Sequence, residues 1–442
     1  METTASPTAK KKLHNAWAMY DWGNSAYNLV ITSTIFPAYY IAITTDATKV
    51  PADKVSFFGL EITNTVLQDY TLSIAYLIIA FISPILSSIA DYRGNKKKYM
   101  RFFTYIGAIA CSGLFLFTKD NIELGIVLFG LAAIGYCGSL VFYNAYLPEI
   151  AAEHERDRVS AKGFAFGYVG SVLLQIVCLV FVLSPDTFGM DAGSASRFSF
   201  LLVGVWWFAW AQIPLRKLPK GQPLEQHAEY SVITNGFHEL KKVWQQVKQM
   251  PVLRTYLGAF FFYSMGVQTV MLAAAAFGAK ELNLETSQLI TTILIIQLVA
   301  VGGAYIMARL SERFGNLNVL IGVVLIWIGI CIYAYFIQTV TQFYIIATFV
   351  GLVMGGIQSL SRSTYSKLMP ETKDTASFFS FYDVTEKLAI VIGLFSFGFI
   401  EHITGSMRKS VLAVLVFFVI GGIILYLARL TAKREKIKSS VI

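Results

Sequence analysis

The chain has 442 residues, 55% of them apolar and 14% charged, with a formal net charge of +9 and a mean hydropathy of +0.59. Soluble domains carry about 25% charged residues, so a water-soluble enzyme or binding domain of this length is excluded; apolar runs able to cross a ~30 Å hydrocarbon core recur throughout. The basic excess falls in alternate loops between apolar segments, which points to membrane orientation rather than nucleic acid, and no nucleic-acid partner is expected.

The N-terminus, METTASPTAKKKLHNAW, is polar and basic, and no short apolar region with a small-residue cleavage site follows it. Residues 1–16 therefore read as a cytoplasmic tail before an uncleaved first helix. Apolar stretches matched to a ~20-residue span predict an all-α membrane protein of twelve helices, near 17–43, 67–90, 99–118, 122–147, 162–184, 197–214, 252–278, 288–309, 317–337, 342–368, 377–401 and 409–430. With the N-terminus inside, cytoplasmic segments hold 28 of the 36 Lys and Arg, and outer loops hold seven: Lys49, Lys54, Lys119, Arg197, Lys280, Arg408 and Lys409. That asymmetry predicts an N-in, C-in multi-pass protein, of the inner (plasma) membrane if the source is bacterial. Cys111, Cys137, Cys178 and Cys331 all lie in apolar segments, where cysteine acts as a small hydrophobe, and neither a disulfide framework nor a metal or cofactor site is expected.

In the first helix, AMYDWGNSAYNLVITSTIFPAYY keeps an acid where a carboxylate is disfavoured by roughly 2.5 to 3.5 kcal/mol at a helix centre. At about 100° per residue, Asp21, Asn24, Ser25, Asn28 and Thr32 fall on one face. The stripe either lines a solute cavity or bonds neighbouring helices, the latter contributing about 0.6 kcal/mol per polar contact. Tyr20, Tyr27, Tyr143 and Tyr168 are secondary cavity candidates. Gly163, Gly167 and Gly170 in the fifth helix have the small-residue spacing that permits close helix packing.

The loop after the second helix reads SSIADYRGNKKK, and that after the eighth reads ARLSERFGNLN, so that acid, two residues and glycine recur as Asp91/Gly94 and Glu312/Gly315, 221 residues apart. YNAYLPE after the fourth helix and YSKLMPE after the tenth align Pro148 with Pro370 and Glu149 with Glu371, 222 residues apart. Two landmarks agreeing within one residue imply two parallel six-helix halves, 17–214 and 252–430. Asp91, Gly94, Lys96, Glu312 and Gly315 are then candidates for a conformational gate. Asn144 and Gln358, near the cytoplasmic ends of the matching fourth and tenth helices, are expected to face the central cavity, since an amide left unsatisfied in lipid is unfavourable.

Residues 215–251 between the halves contain GFHELKKVWQQVKQM, with Phe237, Leu240, Trp244 and Val247 at helical spacing, which predicts a surface amphipathic helix; a flexible linker is the alternative. Residues 431–442 form a short basic tail. In the eleventh helix, FFSFYDVTEKLAIVIG places Asp383 and Lys387 at i and i+4 with the acid first, the favourable order for an ion pair. Glu386 is left without a local partner. If Asp21, Asp383 and Glu386 meet Arg362 and Lys387, three acids face two bases, and the unmatched acid is a candidate proton carrier, Glu386 first and Asp21 next. The alternative is a structural lock formed by Asp91 and the start of the eleventh helix.

SSIADYRGNKKK resembles the loop between the second and third helices of major facilitator transporters, with Ser87 in place of the usual first glycine. WAMYDWGNSAY, VFYNAYLPEIA, VSAKGFAFGYVGS and GGIQSLSRSTYSKLMP together resemble one branch of that superfamily, the one named for the fungal autophagy-linked vacuolar amino-acid effluxer, together with its bacterial relatives. The resemblance runs through nearly all twelve helices. It implies a major facilitator fold, a solute transporter, and family-typical positions at Asp21, Asn24, Ser25, Asn144, Pro148, Gly163, Gly167, Tyr168, Gln358 and Arg362. The eleventh helix departs from it: Glu386-Lys387 stands where relatives read Gly-Lys, and Gly393-Leu394 where they read Gly-Pro.

The expected function is secondary active transport of a small polar solute by alternating access, with protons as the candidate coupling ion and a monomer as the expected form. Amino acids or similar metabolites, and efflux, enter through the resemblance. A membrane enzyme is not expected, since no metal-ligand spacing, Walker motif or nucleophile elbow occurs. The competing reading is a transporter-shaped sensor or scaffold, which the short tail KREKIKSSVI disfavours.

Overall fold

The computed structural model describes residues 6–45, 53–221 and 232–441; side chains at 232, 233, 235–237, 239, 240 and 438–441 are not described. Twelve of the described helices are long and apolar enough to cross a membrane: Pro7–Thr44, Asn64–Tyr92, Lys96–Leu116, Ile122–Ile150, Glu153–Leu183, Ala192–Lys217, Pro251–Leu282, Thr286–Phe314, Asn316–Phe336, Val340–Leu368, Thr375–Thr404 and Met407–Ile437. They are the first to twelfth helices of the sequence reading. The first starts ten residues earlier than expected, because Ser6 accepts from the Ala9 N–H as N-cap and Pro7 occupies the first turn. The twelfth continues to Val441, past the apolar run. Asp191 caps the sixth helix, accepting from Ser194 N at 2.9 Å and Ser194 Oγ at 2.6 Å, and these bonds hold its carboxyl below the usual range.

Two features were not anticipated. Lys54–Phe57 and Leu60–Thr63 form an antiparallel hairpin between the first two helices, closed by Phe58 and Gly59, both at positive φ. That is the conformation a two-residue hairpin loop demands. Within the first helix, Tyr27–Thr34 is π-helical. Ser33 Oγ donates to Asn28 O and Thr34 Oγ1 to Leu29 O, each five residues back. Pro37, just beyond, supplies no N–H and crowds the carbonyl four residues earlier.

Contacts divide the chain into two compact units: Met1–Ser83 with Asn95–Tyr143 and Phe166–Gln222, and Pro84–Gly94 with Asn144–Ala165 and Pro223–Ile442. In the first, the sixth helix packs on the first and third around an aromatic core in which Phe36 stacks on Phe129 at 4.2 Å and abuts Phe117 and Phe200. Such contacts contribute beyond their buried area. In the second, the tightest pairing joins the eighth and tenth helices. A methyl group on Gly355 would lie 2.1 Å from the Ala300 carbonyl, so these backbones touch where side chains would separate them. The linker does contain a helix, Val232–Gln249; Val243 and Val247 are buried, and Trp244 stacks on Phe381 at 5.8 Å. Phe237 and Leu240 of the expected apolar stripe lie outside the described side chains.

Candidate functional site

In the first unit, Asp21 is buried and accepts a 2.8 Å hydrogen bond from the Tyr143 hydroxyl. Tyr143 is itself held by Trp17, which stacks on its ring at 4.4 Å and donates from the indole N–H to its carbonyl at 3.0 Å. A neutral donor thus faces the carboxylate, held by Trp17 at both its ring and its carbonyl. Asn24 is buried; its Oδ1 accepts weakly from Ser25 at 3.4 Å, and its Nδ2 has no hydrogen-bond partner among the described residues. Gly167 lets the fifth helix approach this point, since a methyl group there would stand 2.4 Å from Ser25 Oγ. Tyr168, one residue on, is buried.

The single polar face holds only as far as Ala26. A π turn advances each residue by less than an α turn, so the 100° step that aligned Asn28 and Thr32 with Asp21 does not apply to them. Asn28 is half-buried, and its carbonyl is taken by Ser33. Tyr27, a secondary cavity candidate, packs into the core of its own unit, its ring 4.9 Å from Tyr136 and 5.9 Å from Trp207. The missed signal was local: two hydroxyl residues followed three positions later by proline.

In the second unit, Arg362 is 3% exposed. Its Nε donates to Ser160 Oγ at 3.0 Å, its Nη2 to Ser160 O at 2.9 Å and its Nη1 to Asn144 Oδ1 at 3.2 Å, while the guanidinium lies 4.2 Å from the Phe164 ring centroid. Planar, multidentate binding of this kind suits arginine and not lysine. Asn144 therefore points at Arg362, and Gln358 donates to Met271 Sδ at 3.2 Å. Both amides turn to protein, as their polarity requires.

The eleventh helix carries a three-charge cluster. Lys387 Nζ lies 3.4 Å from Asp383 Oδ1 and 3.1 Å from Glu386 Oε2, and Glu386 Oε1 accepts from Gln268 Nε2 at 3.1 Å. The expected Asp383–Lys387 pair is present. Glu386, however, is not without a local partner: one ammonium serves both acids, and Gln268 of the seventh helix, which the sequence reading missed, binds the other oxygen. The oxygen with no hydrogen-bond partner among the described residues is Asp383 Oδ2, on a side chain only 4% exposed.

The two repeat loops differ in detail. Asp91 accepts from Ala376 N at 3.2 Å, Ser377 N at 2.7 Å and Ser377 Oγ at 2.8 Å, so it caps the eleventh helix from outside. Thr375 Oγ1 donates to Glu149 at 2.6 Å beside it. Glu312 is instead gripped by both Arg158 donors, Nε and Nη2. Gly94 and Gly315 take φ of 62° and 81°, which explains the glycine in each copy. Lys96 opens the third helix and is buried. Between the eighth-helix loop and the tenth helix lies Asp157, unanticipated and fully buried, accepting from Lys367 Nζ at 2.6 Å, Asn316 Nδ2 at 2.7 Å and Ser311 Oγ at 2.8 Å.

A family description, vacuole effluxer Atg22 like, matches residues 9–438. The chain belongs to this family. Among its relatives is the MFS-type transporter YxiO of Bacillus subtilis (strain 168), 32% identical over 416 residues that cover 94% of each chain. Autophagy-related protein 22-2 of Aspergillus oryzae is 28% identical over 80% of this chain and 73% of its own. Solved structures of similar fold include the Escherichia coli fucose:proton symporter (TM-score 0.68, 16% identity, covering 96% of this chain and 98% of the other) and the proton:xylose symporter XylE (TM-score 0.71, 12% identity, 96% of each). The protein is thus a multi-pass membrane transporter of the major facilitator type, and its relatives are named as transporters, not enzymes.

Proposed function

We propose that this Atg22-like protein is a secondary active transporter that exports a small polar solute, amino acids or similar metabolites, by alternating access coupled to protons. The family description supports efflux. The moving bodies are the sequence halves 17–214 and 252–430, with both termini cytoplasmic. The ties from Asp91 to Ser377, from Arg158 to Glu312 and from Arg362 to Ser160 and Asn144 each join a segment of the first half to one of the second. They are the contacts that such a cycle breaks and remakes, which gives the gate residues and Arg362 a common task. Asp21, Asn24 and Ser25 are the solute contacts of the first half, with Tyr168 a secondary one, and Gln358 is that of the second half.

The observation that carries the coupling is the cluster of Asp383, Glu386 and Lys387: two carboxylates share one ammonium, and Asp383 Oδ2 has no hydrogen-bond partner among the described residues. With all three charged the cluster is negative by one, and one proton neutralises it. The proton belongs to the carboxylate pair rather than to Glu386 alone. The test is flux in proteoliposomes with an amino-acid panel, driven by a pH gradient. Glu386→Gln and Asp383→Asn are each expected to abolish uphill transport while exchange of solute continues. Concentrative transport by both variants on a proton gradient alone removes the cluster as the coupling site; no flux of any panel member by the native protein removes amino acids as substrates.

A further inference from the structure

A groove of about 530 Å³ runs between the eighth, ninth and twelfth helices of the second unit, within the ~300–1,000 Å³ range of small-molecule sites. Its floor is apolar, with Met307, Val319 and Val323 among the lining residues, and Arg429 of the twelfth helix stands in its wall. Arg429 Nε is buried and has no hydrogen-bond partner among the described residues. A cationic donor left in that condition is unfavourable, and an anionic oxygen is what satisfies it best. Gly322 also lines the groove, and a methyl group added there would meet nothing within 4 Å, so the space continues over the ninth helix where a side chain would have filled it.

We propose that this groove is a binding site for an anionic phospholipid, with an acyl chain along the apolar floor and the phosphate on Arg429. The surroundings favour a ligand delivered by the bilayer. Leu310, Phe314 and Ile326 on the rim are large apolar side chains exposed by 36%, 52% and 40%, a surface that hydrocarbon covers. Charge at the same helix ends is complementary to a phosphate. Arg309 and Arg313 are exposed on the last turns of the eighth helix, and Lys433 is exposed one turn beyond Arg429 on the same face. Among the described residues no carboxylate lines the groove; Glu312 nearby in sequence is engaged by Arg158. Basic pockets between spanning helices near a membrane surface hold lipid headgroups for this reason.

The experiment uses the full chain, purified in neutral detergent, with thermal unfolding and native mass spectrometry in the presence of phosphatidylglycerol, phosphatidylcholine or inorganic phosphate. Phosphatidylglycerol should raise the unfolding temperature and remain bound, with phosphatidylcholine weaker by about tenfold and phosphate alone without effect. Arg429→Gln should erase the preference for phosphatidylglycerol over phosphatidylcholine. Gly322→Leu, which grows into open space, should weaken both lipids. Equal binding of the two lipids by the native chain overturns the assignment, as does a full shift by inorganic phosphate or native-like lipid binding by Gly322→Leu.

Discussion

The loop after the second helix and the loop after the eighth share an acid, two residues and a glycine, yet their acids are used differently. Asp91 is 3% exposed, and its short side chain places both oxygens on the first-turn N–H groups of the eleventh helix. Glu312 has a side chain 26% exposed and reaches outward to Arg158, which is 72% exposed. One added methylene carries the carboxylate past the backbone and out to a guanidinium. The buried position in the second loop is filled instead by Asp157, with Lys367, Asn316 and Ser311 around it. The repeat therefore keeps the backbone turn, with both glycines at positive φ, and exchanges the electrostatics. A turn is dictated by local sterics, whereas the partner of an acid is set by whatever the opposing helix presents.

The effects of mutation should therefore follow burial and not motif position. The largest should come from a residue outside the motif. Lys367→Ala leaves Asp157, whose side chain is 0% exposed, without its counter-charge, and a loss of about 3 to 5 kcal/mol is expected. Denaturant unfolding in detergent measures it. The double variant Asp157→Asn with Lys367→Met should recover much of that loss, because no charge is then stranded. A Lys367→Ala protein as stable as Glu312→Gln would show that burial does not set the size of the effect.

Asp91→Asn comes next. The amide oxygen can still accept from one N–H, but its NH₂ meets donors, so one bond and the charge–dipole term are lost, about 1 to 2 kcal/mol together. Hydrogen exchange should localise the change: the amides of Ala376 and Ser377 should speed up, with those of the mid-helix unaffected. If exchange accelerates along the whole eleventh helix, Asp91 does more than cap it.

How much of this was legible beforehand depended on the range of the interaction. The twelve spans were readable because length and hydropathy are local. The Asp383–Lys387 pair was readable because four residues make one helical turn. Asp91 and Glu312 were found because the pattern repeats. Asp157 was not, since an acid in HERDRVS reads as a solvated loop charge, and only the fold brings Lys367, 210 residues away, against it. Gln268 was hidden in the same manner, 118 residues from Glu386. The π-helical stretch failed for a different reason: the 100° arithmetic presumes the very hydrogen bonds that Ser33, Thr34 and Pro37 replace.

The smallest effect is expected where the motif looks most complete. Arg158 and Glu312 form a two-pronged ion pair, but the arginine stands mostly in solvent, so water already satisfies both charges when the pair is broken. Exposed pairs typically contribute 0.2 to about 1 kcal/mol, and salt screens them over ~10 Å at 0.1 M ionic strength. A double-mutant cycle of Arg158→Ala and Glu312→Gln should give only a small coupling at low salt that fades toward zero at 1 M. The same cycle on Asp157 and Lys367 should keep most of its coupling, because the carboxylate is out of reach of ions. Equal salt sensitivity in the two cycles would mean that Asp157 is hydrated in solution, and burial would then no longer explain why the two loops differ.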